Sequence, residues 1–383
     1  MFRFKQICSF ALVGVACLGL STHVFADQKV ADESSISNII ISSEAKIAES
    51  AFFDIKDQII HDYSQLYKLD DFSYDYTLRD EIGKKYLDIN VYVDMTLTRH
   101  PSESPYVLGM EKAIQEITDT ATKEKLQADI DAYINEIETL YFNIPNRSTF
   151  TYAVELDDVV STNTLNTNTK YKLFYRTDTD EKVVLTDADC LSDVENFNES
   201  YQAGYQAIDS LKSDTNIETL NVNSPISARA SFTYDRIAAR DWAWDNWDAD
   251  PEYPSSTVPG TDCANFVSKA LNAGGIPEDR SGKWYRATTW GGWAGDHWFR
   301  TGYNGQTGVV IYMTNKGYFY KETNENVVAA GCIMYWNNTS HVALVTYGDG
   351  STIKYTQHGA SQTKDTVYRT ENASFYKASS SIC

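Results

Sequence analysis

A cysteine lies at the start of a short segment that has the features of a helix, and a cysteine in this place can act as a nucleophile. The segment runs from Gly260 to Gly275 and reads GTDCANFVSKALNAGG. Thr261 or Asp262 can accept hydrogen bonds from the free N–H groups of a first turn, and the two final glycines favour a left-handed stop. Because those N–H groups and the positive end of the helix dipole stabilise a thiolate, Cys263 is a candidate nucleophile.

The same segment leaves a structural role for this cysteine open. At helical spacing the cysteine shares one apolar stripe with Val267, Ala270 and Leu271. A cysteine on such a stripe can equally be a small buried hydrophobe or half of a disulfide. Nucleophilic chemistry therefore requires a second group, a base that accepts the thiol proton.

Two strand-like runs near the C-terminus supply two histidines. One run reads HVALVTY and begins at His341, and the other reads TIKYTQH and ends at His358; residues 348–351 (GDGS) connect them. With the Asp-Gly pair at the centre of a two-residue turn, His341 lies directly opposite His358 on one face of a hairpin.

This pairing predicts a base and a residue that orients it. An imidazole can take the proton of Cys263 and later protonate a leaving amine, and we assign this role to His341. His358 is predicted to hold that imidazole in one tautomer. In the predicted register Gln357 points away from the site, and Asp262 is committed to the helix cap. Two histidines can also bind a metal, but only the cysteine offers a third ligand and the usual ligand spacings do not occur, so neither a metal nor a cofactor is predicted.

The first 26 residues have the composition of a secretory signal peptide. A short basic start with Arg3 and Lys5 precedes an apolar run over residues 7–20 and small residues up to Ala26. No later apolar run is long enough to span a membrane. We therefore predict an exported protein without stable membrane insertion.

Charge and cysteine content limit the partners and the covalent framework. The formal net charge of the 383 residues is -20 at pH 7, so nucleic acid is not an expected partner and charge-driven adhesion to an anionic wall or membrane is disfavoured. If one cysteine is a free nucleophile, the pairing of the other three after the predicted signal peptide stays open. The four cysteines are Cys190, Cys263, Cys332 and Cys383.

The chain divides into two parts of different composition. Residues 34–212 alternate helical and strand-like segments without tryptophan, which predicts a separate α+β domain of unknown role. Residues 213–231 have the composition of a linker. All eight tryptophans lie in residues 232–383, which also contain the cysteine and both candidate histidines.

Several motifs of the second part occur together in one known family. YDRIAARDWA from Tyr234, DCANFVS from Asp262, SHVALV from Ser340 and the QH pair at 357–358 resemble, in this order, the type 6 putative amidase domain family. The resemblance covers about residues 232–383. It implies a papain-like fold near the NlpC-type cell-wall hydrolases, in which the nucleophile helix packs on an antiparallel sheet.

Applied to this chain, the family pattern implies that Cys263 is the nucleophile, His341 the base and His358 the third member of the catalytic set. The resemblance implies a secreted cysteine amidohydrolase that forms an acyl-enzyme. By the relation to wall hydrolases, the substrate is an amide in the stem peptides of peptidoglycan, or another amide compound, outside the cell or at the cell wall.

Two alternatives stay open at this point. One is a transamidase that uses the same three residues, and the other is a non-catalytic wall-binding or surface protein in which Cys263 forms a disulfide. The chain departs from the family at Ala264, where a threonine is usual, and at Cys332, where an acidic residue is usual. The second departure adds a candidate partner for a disulfide.

Overall fold

The computed structural model describes twelve stretches of the chain. The predicted signal peptide, residues 1–26, and Cys190 lie outside them. Among the described residues, none of the helices combines the length and the apolar composition that crossing a bilayer requires. The stretches are residues 34–81, 84–156, 172–175, 183–184, 197–217, 231–250, 262–286, 298, 308–336, 341–359, 362–369 and 373–383.

Seven α-helices occur in the described part, and local sequence signals set several of their ends. The Ser104 side chain accepts a hydrogen bond from the N–H of Val107, and Pro105 occupies the first position of the same helix. Asp119 caps the next helix by accepting a bond from the N–H of Thr122. The helices are α1 Ser34–Tyr63, α2 Pro105–Gln115, α3 Thr120–Leu140, α4 Phe197–Ile217, α5 Arg236–Asn246, α6 Cys263–Ala273 and α7 Val309–Asn315.

Eleven described strands form one sheet, so the predicted α+β class is confirmed. The strand order is β1-β2-β3-β10-β9-β8-β7-β11-β6, and β4 and β5 continue from β3. Neighbouring strands are antiparallel except for β3 and β10, which run parallel. The strands are β1 Tyr67–Glu81, β2 Lys84–Leu97, β3 Pro145–Glu155, β4 Lys172–Tyr175, β5 Val183–Val184, β6 Phe319–Glu322, β7 Ile333–Trp336, β8 His341–Gly348, β9 Ile353–His358, β10 Gln362–Val367 and β11 Ala373–Ala378.

The parallel pair joins the two parts that the sequence separates. Thr149 of β3 pairs with Thr366 of β10, and the Thr149 hydroxyl donates to the carbonyl oxygen of Lys364 at 2.8 Å. The hydrophobic core beneath α1 also includes Tyr347 and Val367 from the C-terminal part. Sheet and core thus cross the predicted boundary, and the division into separate domains stays a prediction.

A buried charge crosses the same junction. Arg369, which follows β10, lies 3.1 Å from Asp62 of α1, and its guanidinium donates to the hydroxyl of Tyr152 at 2.8 Å. Removing one partner of a buried ion pair leaves an uncompensated charge. The contact therefore resists separation of the two parts. Four aromatic rings surround the guanidinium, with centroids 4.3 to 5.9 Å from its central carbon: Tyr63, Phe150, Tyr152 and Tyr175.

Strand β8 is buried on both faces, and this position fixes the residue at its start. Val342 and Leu344 pack into the core that contains α5 and α6. Ala343 and Val345 pack into the core on the opposite face. A strand covered on both sides has little freedom to shift, so the side chain of His341 has a defined place.

The C-terminal part, expressed alone as residues 232–383, is expected to lose cooperative unfolding. Without β3 the edge of β10 has no partner, and Tyr347 and Val367 lose the apolar core that buries them. Thermal unfolding followed by near-UV circular dichroism would measure this, with residues 27–383 as the control. A fragment that unfolds cooperatively at the temperature of the longer chain would contradict the shared core.

Candidate active site

Helix α6 begins at Cys263 and is followed by the two glycines that were predicted to stop it. Gly274 follows the last helical residue, and Gly275 has φ +100°, a conformation that L side chains rarely adopt. The predicted helix is therefore confirmed. Asn265 and Ser268 are not among the residues of the apolar stripe, yet both are buried as well, because α6 is covered on several sides. The cysteine side chain lies at the tip of a buried helix.

Asp262 does not cap α6, and this prediction is wrong. Its side chain makes no hydrogen bond to the first-turn N–H groups. One carboxylate oxygen accepts from the side-chain amide of Asn265 at 2.9 Å, and the other lies 2.7 Å from Nδ1 of His358. Asp262 therefore links the tip of α6 to the end of β9.

The turn between β8 and β9 is longer than predicted. Gly348 pairs with Ile353, so four residues and not two form the connection. Within it, Asp349 Oδ1 accepts hydrogen bonds from the N–H groups of Ser351 at 3.0 Å and Thr352 at 2.8 Å. An aspartate that binds the backbone two residues ahead is a turn-forming device in its own right, and it replaces the predicted tight turn.

The longer turn and a bulge at Thr346 change the register of the hairpin. Leu344 pairs with Thr356, whereas a register with His341 opposite His358 pairs Leu344 with Tyr355, one position earlier in the chain. A shift by one residue moves every side chain of a strand to the other face. The prediction that His341 lies directly opposite His358 is therefore wrong.

The corrected register brings Gln357 to His341. The Nε2 atom of His341 lies 2.7 Å from Oε1 of Gln357, and both side chains are buried. Since an amide oxygen only accepts, Nε2 carries a proton and Nδ1 is the nitrogen available to a thiol. The thiol of Cys263 is hydrogen-bonded to the His341 side chain. The structure thus brings together two of the three predicted residues and places Gln357 in the third position.

The pKa of the Cys263 thiol lies below its ordinary value. Burial raises this pKa, but the hydrogen bond and the charge of His341 lower it, as do the N–H groups of Val342 and Ala264. The last of these N–H groups belongs to the first turn of α6, where the sequence predicts stabilisation of a thiolate. Cys332 shows the opposite behaviour, since burial raises the pKa of its thiol.

His358 has partners other than His341. Its Nδ1 lies 2.7 Å from Asp262, and its Nε2 lies 3.0 Å from the carbonyl oxygens of both Asn246 and Trp247. Both ring nitrogens are therefore engaged away from the base. The contact that was predicted to orient His341 is made by the preceding residue of the same strand.

Sequence reasoning missed Gln357 and a second residue, Trp336. The glutamine adjoins the predicted histidine in the QH pair, and only the assumed register excluded it. The indole of Trp336 lies with its centroid 4.9 Å from that of His341 and is buried. Its ring is part of the buried surroundings of the His341 imidazole, where a hydrogen bond is stronger than an exposed one.

The described cysteines form no disulfide, and the described residues contain no candidate metal site. Cys263, Cys332 and Cys383 are free thiols. Within the described stretches, no group of three or more histidine, cysteine, aspartate or glutamate side chains is placed to hold a metal ion.

A cavity of about 380 Å³ opens beside the residue that precedes the cysteine. Its lining includes Asp262 and His358 together with the aromatic rings of Trp242, Phe266 and Trp298. Small-molecule sites in proteins commonly have volumes of roughly 300 to 1,000 Å³. The cavity is therefore large enough for a small part of a substrate.

Comparison with known proteins finds a family match in the C-terminal part of the chain, where the family motifs lie. Residues 233–379 match the family model described as "Putative amidase domain", which confirms the predicted family resemblance. No curated protein and no solved structure shows a significant match to the chain. At a coarse level, the family match supports a hydrolase of the amidase type.

Cys263 is expected to react with iodoacetamide at lower pH than Cys383. A lowered pKa keeps part of the thiol ionised as the pH falls, whereas burial raises the pKa of Cys383. The protein would be exposed briefly to iodoacetamide at pH values between about 5 and 9, a range that includes the ordinary pKa of a thiol. Mass spectrometry of proteolytic peptides would then give the extent of alkylation of each thiol as a function of pH. His341→Ala should shift the Cys263 profile to higher pH and leave the Cys383 profile in place. Equal midpoints for the two thiols in the wild type would contradict the geometry.

Proposed function

We propose that the protein is an exported cysteine amidohydrolase that cleaves an amide bond in peptidoglycan stem peptides. The observation that carries the proposal is the contact chain from Cys263 through His341 to Gln357. It holds a thiol of lowered pKa, a base on that thiol, and an amide 2.7 Å from the far nitrogen of the base. A buried nucleophile with this environment is typical of covalent catalysis.

The acylation step uses the thiolate and the proton on His341. The sulfur of Cys263 attacks the carbonyl carbon of the amide, and the carbonyl π electrons move to the oxygen. The imidazolium then gives its proton to the leaving nitrogen and the C–N bond breaks. An amine is released, and the acyl group stays on Cys263 as a thioester. Gln357 keeps Nε2 protonated throughout, so the nitrogen that exchanges protons is the one beside the sulfur.

The second step returns the enzyme to its starting state. His341 takes a proton from water, the water oxygen attacks the thioester carbonyl, and the C–S bond breaks to release a carboxylic acid. We assign stabilisation of the negative oxygen in both steps to the backbone N–H of Cys263, because it belongs to the start of α6, where the helix dipole is positive.

The proposed substrate rests on the family, and the charge of the chain limits how that substrate can be recognised. The family resembles the NlpC-type hydrolases, which act on cell walls, and an exported enzyme meets amide bonds there that join amino acids of the stem peptide. A net charge of -20 does not favour binding to anionic wall polymers, so recognition has to come from the site. The aromatic cavity beside Asp262 is the proposed place for the part of the stem peptide that adjoins the cleaved bond.

Replacement of Cys263 by serine or alanine is expected to abolish the release of fragments from purified peptidoglycan. A serine hydroxyl in this setting lacks the low pKa that makes the thiol a nucleophile at neutral pH. Mass spectrometry of the released fragments would identify the bond. Thermal unfolding of the variants provides the control. Replacing the thiol of Cys263 should change the unfolding temperature little, whereas it should abolish hydrolysis.

The same experiment separates the alternatives. A product that gains an added amine in place of water would identify a transamidase. Unchanged fragment release by both folded variants would exclude Cys263 as the nucleophile, and an absence of release by the wild type on any wall preparation would favour a binding protein.

Gln357→Ala is expected to lower kcat and leave KM almost unchanged. A hydrogen bond to a group that becomes charged contributes about 1.5–3 kcal/mol, which corresponds to roughly a ten- to hundredfold lower rate. Steady-state hydrolysis of wall fragments would measure both constants.

Gln362→Ala is the matched control for this change. Gln362 lies on the neighbouring strand β10 and donates to the carbonyl oxygen of Ala249 at 2.7 Å, so its loss also removes a glutamine hydrogen bond but leaves the contact between Gln357 and His341 in place. If both variants lowered kcat equally, the contact of Gln357 with His341 would have no special part in catalysis.

A further inference from the structure

His358 fastens three elements together with one side chain. Nδ1 lies 2.7 Å from Asp262 at the start of α6, and Nε2 lies 3.0 Å from the carbonyl oxygens of Asn246 and Trp247 at the end of α5. The ring stacks on Phe266, with centroids 4.2 Å apart and planes 20° from parallel. Only 4% of the His358 side chain is exposed. The end of β9 is therefore attached to both helices at the same point.

All hydrogen-bonding partners of the His358 ring are acceptors. A carbonyl oxygen can only accept, so Nε2 donates to the two carbonyl oxygens at the end of α5. Nδ1 lies beside a carboxylate oxygen of Asp262 at the start of α6. The two nitrogens of the ring thus connect β9 with α5 and with α6.

Asp262 is itself held in one orientation. Its second oxygen accepts from the side-chain amide of Asn265 at 2.9 Å, and the oxygen of that amide accepts from the indole of Trp298 at 2.6 Å. All three side chains are buried. Hydrogen bonds among buried side chains restrict the orientations of those side chains, so the carboxylate is held in place for its contact with the histidine.

The two linked residues are the direct chain neighbours of two groups at the proposed active site. Asp262 precedes Cys263, and His358 follows Gln357. Consecutive Cα atoms are about 3.8 Å apart. The contact between Asp262 and His358 therefore fixes the distance between their neighbours Cys263 and Gln357. His341 lies between these two residues and contacts both.

We propose that His358 is a positioning residue that keeps the tip of α6 at the correct distance from β9, so that Cys263, His341 and Gln357 form one hydrogen-bonded line. A displacement on the order of 1 Å in a catalytic group can cost a hundredfold in rate. The inference rests on the proposed function of the cysteine and its base, but its test reads the reactivity of the thiol and needs no substrate.

Three substitutions at position 358 test the link. His358→Ala removes both hydrogen bonds. His358→Asn places an amide N–H near the position of Nδ1 and keeps the bond to Asp262, whereas His358→Gln reaches the α5 carbonyls instead. The pH profile of Cys263 alkylation by iodoacetamide, measured by mass spectrometry, is the readout for each purified protein.

The expected result is a graded shift of the profile. In His358→Ala the midpoint should rise by about one pH unit, which is roughly a tenfold lower alkylation rate at pH 6. His358→Asn should restore most of the wild-type rate, and His358→Gln should not. In hydrolysis assays of wall fragments, kcat should fall in the same order while KM stays within about twofold, since positioning affects the reacting groups more than binding.

Ser268→Ala is the matched control for loss of a buried hydrogen bond in α6. Ser268 lies further along the helix, donates to the carbonyl oxygen of Trp298 and accepts from the indole of Trp284, each at 3.2 Å. This variant should lower the unfolding temperature and leave the Cys263 profile unchanged, which separates general destabilisation from displacement of the tip.

The outcomes decide between positioning and simple stability. Wild-type alkylation profiles in His358→Ala, or equal shifts in His358→Ala and Ser268→Ala, would overturn the proposal. If His358→Ala does not fold, the Asn and Gln variants decide: equal profiles for these two would also overturn it. A wild-type protein that hydrolyses no wall but shows the graded thiol profile would refute the proposed function and leave the positioning role intact.

Discussion

The proposed site depends on the interactions that stabilise the buried thiolate of Cys263 in place of water. Burial by itself raises the pKa of Cys263, and only the base at His341 and the backbone N–H groups around the sulfur reverse this effect. Such compensation acts over hydrogen-bond distances and needs each donor in place. The tip of α6, the start of β8 and the end of β9 must therefore stay in fixed relative positions, and the packing of the molecule can be understood from this requirement.

The shared sheet explains how that requirement is met. Strand β9 lies between β8 and β10, and β10 in turn pairs with β3 of the N-terminal part. The strand that carries Gln357 is therefore supported from both edges. Buried Arg369 and the side chains of α1 add contacts across the same junction. On this view the N-terminal part contributes to the rigidity of the site, in addition to any role in binding.

Sequence reasoning succeeded where short-range rules apply and failed where distant contacts decide. The end of α6 follows from the two glycines after it, and the place of His341 at the beginning of β8 follows from the strand pattern nearby. Helix α6 begins at Cys263 as predicted, although Asp262 supplies no cap. The register of β8 and β9 does not follow from local patterns, because the bulge residue Thr346 donates to Asp365 of β10 at 2.6 Å. In the same way Asp262 exchanges its expected local cap for a bond to His358, which is 96 residues away. No local pattern contains either contact.

The central claim is that the sulfur of Cys263 performs the chemistry, and blocking it on the folded wild-type protein tests this most directly. The protein would be alkylated to increasing extents, the occupancy of Cys263 determined by mass spectrometry, and fragment release from purified peptidoglycan measured on each sample. If Cys263 is the nucleophile, hydrolysis falls in proportion to the alkylated fraction of its thiol and stops at full modification, whether or not Cys383 is alkylated. Continued hydrolysis by protein fully modified at Cys263 would contradict this claim.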